Sequence, residues 1–134
     1  MKYILILTTF IFASCVSQQN TSLTCKPSDI AENQFQAGSN YFNQTNMPSA
    51  EKCFRMAANQ DLIPAYYMLG LVLEETKKPD EAIVWYSRYV ETKISGYGFV
   101  ALKLSKIYQS KNDIANYQKW HQVCVSSDYA SCGN

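Results

Sequence analysis

The chain has 134 residues, 47% of them hydrophobic and 13% aromatic, with 12 basic residues, 11 acidic residues and one histidine. That length sets one modest domain. A formal charge of +1 with no run of Lys or Arg argues against nucleic acid as a partner.

Met1 and Lys2 form a minimal basic region, Tyr3 to Phe12 is apolar apart from Thr8 and Thr9, and small Ala13 and Ser14 precede Cys15. An apolar core of about ten residues is too short to span a bilayer, so residues 1–14 read as a signal peptide. The run Phe12-Ala13-Ser14-Cys15 resembles the bacterial lipobox, with Phe12 where leucine is usual. The resemblance implies cleavage before Cys15 and lipid attachment to it. An ordinary secretory signal with a coincidental cysteine is the competing reading. Lys2 leaves with the leader, so eleven basic residues face eleven acidic ones in the mature chain. Val16 to Thr24 is polar and lacks helical periodicity. Residues 15–27 therefore read as a lipidated cysteine and a flexible tether, with residues 28–134 as the folded domain. No other segment is long and apolar enough to cross a membrane.

The folded part reads as helices throughout, near residues 28–43, 48–59, 63–76, 79–92, 98–110 and 113–125. Apolar and aromatic residues recur at helical spacing, as in Tyr66, Leu69, Leu73 and in Ala82, Trp85, Tyr86, Tyr89. Proline marks three starts, at Pro48, Pro64 and Pro79, the last followed by Asp80 and Glu81. Asn112-Asp113 marks another by capping. No run of alternating β-branched residues signals a strand.

These six helices repeat. Gly38 to Gly70, Ala50 to Ala82 and Phe54 to Tyr86 are each 32 residues apart. A third copy, with Leu104-Ser105 in place of Leu69-Gly70 and Tyr108 following, lies 35 residues further on. Small Gly38, Gly70 and Ala82 are expected to let paired helices approach, while Phe54, Tyr86 and Trp120 or His121 fill the gap between pairs.

Four cysteines remain beside Cys15, namely Cys25, Cys53, Cys124 and Cys132. An even number in an exported chain favours disulfides, with three connectivities open. The eight-residue spacing of Cys124 and Cys132 suits a staple from the end of one helix to the start of the next. Cys25 and Cys53 would then tie the N-terminal arm to the first repeat. The chain-entropy model assigns about 2.6 kcal/mol to the short loop and about 3.6 kcal/mol to the long one. A metal site is disfavoured, because there is no CxxC pair and His121 is the lone histidine.

In this register the small and aromatic residues resemble tetratricopeptide-type repeats. The segment from Ala57-Ala58 through Ala65 to Leu69-Gly70 is similar to the Sel1-like variant. Cys124 and Cys132 resemble the disulfide that staples successive repeats in cysteine-rich Sel1-like proteins. The resemblance covers residues 28 to 132 and implies a short all-α solenoid of about three helix-turn-helix repeats. Copy one departs from it by lacking the leucine before Gly38. Copy three has Tyr117 where Ala82 aligns.

Family geometry implies that the first helix of each pair lines a concave, protein-binding face. Its expected lining is Phe35, Ser39 and Phe42 from copy one, Tyr67, Leu71, Glu74 and Glu75 from copy two, and Lys106 and Gln109 from copy three. Packing of Phe35, Phe42 and Tyr67 into the solenoid core, and solvation of Glu74-Glu75 as a helix end, are the bland readings of the same residues. Catalytic patterns are lacking: the sequence has no Gly-x-Ser-x-Gly elbow, Walker loop or HExxH. His121 follows Tyr117 and Trp120 at helical spacing and reads as packing or surface rather than a general base. Acidic pairs at helix ends form no spaced dyad.

The sequence thus points to a non-enzymatic adaptor or scaffold without cofactor. It would bind another protein or peptide, tethered to a membrane through Cys15. Its expected place is the bacterial envelope facing the periplasm, at the outer membrane in a Gram-negative cell. An immunity protein neutralising a periplasmic toxin is the alternative within binding. A cell-wall or β-lactam-related hydrolase is the alternative in another class.

Overall fold

The computed structural model describes residues 24–133. The signal peptide at 1–14, the proposed lipidation at Cys15 and most of the tether lie outside the described residues. Six helices follow in order: α1 Ala31–Asn43, α2 Met47–Ala58, α3 Ile63–Glu75, α4 Pro79–Glu91, α5 Tyr97–Ser110 and α6 Ile114–Val125. A 3-10 turn, Ala130–Cys132, closes the described chain. Among the described residues there is no strand. Consecutive helices pack on one another from α1 to α6, giving three antiparallel pairs stacked in a row. The architecture is an all-α solenoid.

The starts follow local chemistry. Asn46 caps α2, its side chain accepting from the Ser49 N–H at 3.3 Å, with Pro48 in the first turn. Asp113 caps α6 in the same way, accepting from Asn116 N–H at 3.1 Å. Pro64 and Pro79 sit in the first turns of α3 and α4, where a missing N–H costs nothing. The first helix starts at Ala31 rather than at 28. Lys26 to Asp29 fold instead into a turn in which Asp29 Oδ2 accepts from Lys26 N–H at 2.8 Å. Buried Gln34 holds that turn, donating to the Lys26 carbonyl at 2.8 Å and accepting from the Gln60 amide at 2.8 Å.

The ends repeat too. A left-handed residue follows every helix, at Thr45, Asp61, Lys77, Lys93, Asn112 and Asp128, and none is glycine. After α1, α2, α3 and α5 the next N–H reaches back five residues, as from Leu62 to the Ala57 carbonyl at 3.2 Å and from Lys78 to Leu73 at 2.8 Å. These bonds satisfy carbonyls that a helix end leaves orphaned, in a Schellman arrangement.

The core lies inside and between the pairs. Ala50, Phe54, Ala57, Ala65, Leu69, Leu73, Ala82 and Tyr86 are all fully buried. One expectation is corrected here. Phe54 and Tyr86 do not simply fill the gap between pairs; each lies across the glycine of its own pair. A Cβ on Gly38 would stand 2.7 Å from Phe54 Cδ1, and one on Gly70 would stand 2.5 Å from Tyr86 Cε1. Glycine is what lets the ring approach the opposing backbone this closely. Copy three has Ser105 at this place, buried, its hydroxyl donating to the Leu102 carbonyl of its own helix at 2.8 Å.

Two disulfides fasten the ends of the array. Cys25 is joined to Cys53 across 28 residues, with Cα atoms 5.4 Å apart, pinning the N-terminal arm to α2. Cys124 is joined to Cys132 with Cα atoms 5.6 Å apart, holding the terminal 3-10 turn against α6.

Candidate protein-binding surface

Helix α3 places Tyr67, Leu71 and Glu74 along one stripe, at spacings of four and three residues. Tyr67 is half-buried, its ring centroid 6.1 Å from Tyr86, 6.0 Å from Tyr89 and 6.2 Å from Phe99. Phe99, at the start of α5, meets Tyr129 edge-to-face at 5.9 Å. Phe99 and Tyr129 are each 36% exposed. The aromatic rings therefore run from the core through Tyr67 to the surface, linking α3, α5 and the C-terminal turn.

Glu74 is not a free helix-end carboxylate. It is half-buried, accepts a hydrogen bond from the Tyr86 hydroxyl, and pairs with Lys103 of α5 at 2.9 Å. Lys103 also stands 5.7 Å from the Tyr86 ring centroid. Burial pushes the Tyr86 phenol far above its ordinary pKa, and the Glu74 carboxylate beside it pushes the same way. The phenol stays protonated and donates. Glu74 thereby ties the second pair to the first helix of the third.

The remaining expected residues fall into separate groups. Phe35 and Phe42 on α1 are half-buried against the core, Phe35 with its ring centroid 5.5 Å from Phe54. Ser39 turns its hydroxyl onto the Phe35 carbonyl at 3.0 Å. Glu75 lines a hollow of about 480 Å³ with Glu74, Lys77, Pro79, Ile107 and Ser110. Lys106 and Gln109 lie in another of about 330 Å³ with Leu102, Ser105, Tyr117, His121 and Ser131. Ser105 and His121 share that hollow, yet the serine hydrogen is spent on its own helix. Phe99, Lys103 and Tyr129 were missed by the sequence reading. Phe99 and Lys103 are four apart on the first helix of copy three, and that spacing could have drawn them in. Tyr129 follows the last expected helix and carried no signal.

A second polar cluster is structural. Glu51 accepts from Arg55 at 2.8 Å and Lys78 at 3.0 Å, and Arg55 reaches Glu81 at 2.9 Å, bracing α2 against the start of α4. Burial raises the Glu51 pKa, but hydrogen bonds from Arg55 and Lys78 outweigh it and hold the carboxyl below its ordinary range.

Residues 63–93, which span α3 and α4, match the tetratricopeptide repeat family. The fold is a tetratricopeptide-type helical repeat array. A solved structure described as the crystal structure of MamA superposes with a TM-score of 0.67 at 22% identity. The alignment covers 78% of this chain and 62% of that one, so the chain spans less than two thirds of MamA's length. At that identity the likeness concerns the fold. No curated protein matches the sequence significantly. The family match falls on copy two, where Gly70, Ala82 and Tyr86 keep the repeat register best.

Proposed function

We propose that this protein is an envelope lipoprotein, anchored through Cys15, that acts as a non-enzymatic adaptor binding another protein or peptide on its first-helix face. Repeat arrays of this kind work by presenting an extended surface. The observation that carries the reading is the chain of rings from Tyr67 through Phe99 to Tyr129, which ends in two aromatics held edge-to-face and still open to solvent. Rigid aromatics at a surface give large contact area at small entropic cost. Leu71 on the same stripe of α3 extends this surface. The placement outside the cytoplasm rests on the lipobox-like Phe12-Ala13-Ser14-Cys15 and on two disulfides, which persist in oxidising compartments.

Capture from envelope extracts tests the proposal. Full-length protein is expected to retain a specific partner, and Phe99→Ser with Tyr129→Ala to lose it while keeping the same helical signal. Equal retention by the variant would remove the aromatic face from the account. One secreted effector as sole partner favours the immunity reading, whereas several assembly proteins favour a scaffold.

A further inference from the structure

The chain of rings that starts at Tyr67 ends on a residue that the repeats do not hold. Tyr129 lies inside the loop closed by Cys124 and Cys132, whose Cα atoms are 5.6 Å apart. Residues 126–133 leave α6 through bonds of their own. Ser127 N–H donates to the Cys124 carbonyl at 3.0 Å, and Cys132 N–H to the Tyr129 carbonyl at 2.9 Å. Among the described residues no hydrogen bond joins this segment to α5. Cys132 is its one buried residue, and Ser127 is half-buried. The seat on α5 is Gly98, where a Cβ would stand 1.8 Å from Ser127 Oγ and 2.9 Å from Tyr129 Cβ. The segment thus rests on bare backbone, and Tyr129 meets Phe99 beside it.

A single edge-to-face pair at a half-exposed site is a weak hold, and every residue ordered in the turn costs backbone entropy. The covalent loop removes much of that cost in advance. The entropy of closing a loop this short corresponds to roughly 10²-fold in the population of the closed turn. Helix α6 does not depend on the turn, since Trp120 and Cys124 are buried in the core and Asp113 caps its start. The other bridge, Cys25–Cys53, pins the opposite end of the array. We propose that Cys124 and Cys132 are positioning residues for the aromatic face and form a redox gate on it. The bridged protein holds Tyr129 on Phe99; the dithiol protein keeps its six helices and loses that pair. This regulation rests on the aromatic-face reading of the function. Assembly of the face is a thiol–disulfide exchange. One thiolate of the pair attacks the disulfide of an oxidant, a protein or glutathione disulfide, and the other then displaces the oxidant's sulfur. The pair gives up two protons and two electrons, which leave in the two thiols of the reduced oxidant. Transfer from a reducing to an oxidising compartment thereby switches the surface on.

The test reads the ring pair directly and needs no partner. A fluorinated tyrosine is placed at position 129 of the full-length protein in detergent, and its fluorine resonance is recorded. The Phe99→Ser protein gives the position of that resonance with the pair broken. Cys124→Ala with Cys132→Ala is expected to move the resonance to the same position while the far-ultraviolet helical signal is kept. That variant also removes two core sulfurs. Dithiothreitol is therefore added to Cys25→Ser with Cys53→Ser protein, where only the gating bridge can open, and the same move is expected. A resonance that stays in place in either experiment, or moves only together with loss of the helical signal, would overturn the gate. So would the same move caused by Cys25→Ser with Cys53→Ser before any reductant, because the two bridges would then act alike as general stabilisers. Retention of the envelope partner by Cys124→Ala with Cys132→Ala protein, despite a moved resonance, would instead refute the aromatic-face reading and leave the redox assembly of the ring pair standing.

Discussion

The packing of a ring on glycine makes a quantitative demand. Gly70→Ala adds a methyl group 2.5 Å from Tyr86 Cε1 and 2.6 Å from Cδ1, far inside van der Waals contact. Tyr86 cannot withdraw. It is fully buried, and its hydroxyl is anchored on Glu74. Overpacking costs roughly 1–3 kcal/mol, and a methyl group 2.5 Å from a ring that cannot withdraw belongs in the upper half of that range, about 2–3 kcal/mol. Against it stands the helix preference of alanine over glycine, about 1 kcal/mol. The net loss expected is about 1–2 kcal/mol, and each kcal/mol lowers the melting temperature by roughly 4–8 °C in a domain of this size. The decisive form is a double-mutant cycle with Tyr86→Ala, read by urea denaturation at 222 nm. Tyr86→Ala alone is expected to cost about 3–5 kcal/mol through the cavity it leaves. In that background Gly70→Ala should become neutral or stabilising by up to about 1 kcal/mol, a coupling of roughly 2 kcal/mol. A Gly70→Ala that is harmless with Tyr86 present, or additive with Tyr86→Ala, would refute the packing argument.

Other outcomes rest on the same contacts. Replacing Cys25 and Cys53 by serine should lower stability by at most about 3.6 kcal/mol in a thermal melt, and added reductant should then act only through the remaining bridge. Glu51, with its folded pKa held below 4.5, stabilises the fold above that value and loses the contribution as pH falls through the lowered one. Glu51→Gln should therefore be less stable than wild type at neutral pH, with the difference shrinking under acid titration followed by circular dichroism. Lys77, left-handed after α3, should give about 1 kcal/mol of added stability on change to glycine in chemical denaturation, since a Cβ is disfavoured in that conformation.

Much of the fold is legible because the chain states it locally. Pro48, Pro64, Pro79 and Asp113 place four helix starts, and the 32-residue echo of Gly38–Phe54 in Gly70–Tyr86 places the pairs in register. The left-handed stops were not legible, because Thr45, Lys77 and Lys93 carry none of the glycine that announces such a conformation. The candidate binding surface was legible only in part. Tyr67, Leu71 and Glu74 share a stripe by spacing alone, but the role of Glu74 depends on Tyr86, 12 residues away, and on Lys103, 29 away. No local pattern encodes a three-body contact of that kind. Phe99 had a first-helix spacing that could have drawn it in, whereas Tyr129 became visible only when the C-terminal turn folded back on α5.

The most direct measurement is site-specific photocrosslinking in cells that produce the full-length protein. A photoreactive residue is placed in turn at Phe99, at Tyr129 and at Val84, which is 52% exposed on the second helix of copy two. The account predicts an adduct to the same partner protein from Phe99 and Tyr129 and none from Val84. Adducts from Val84 alone, or equal adducts from all three positions, would contradict it.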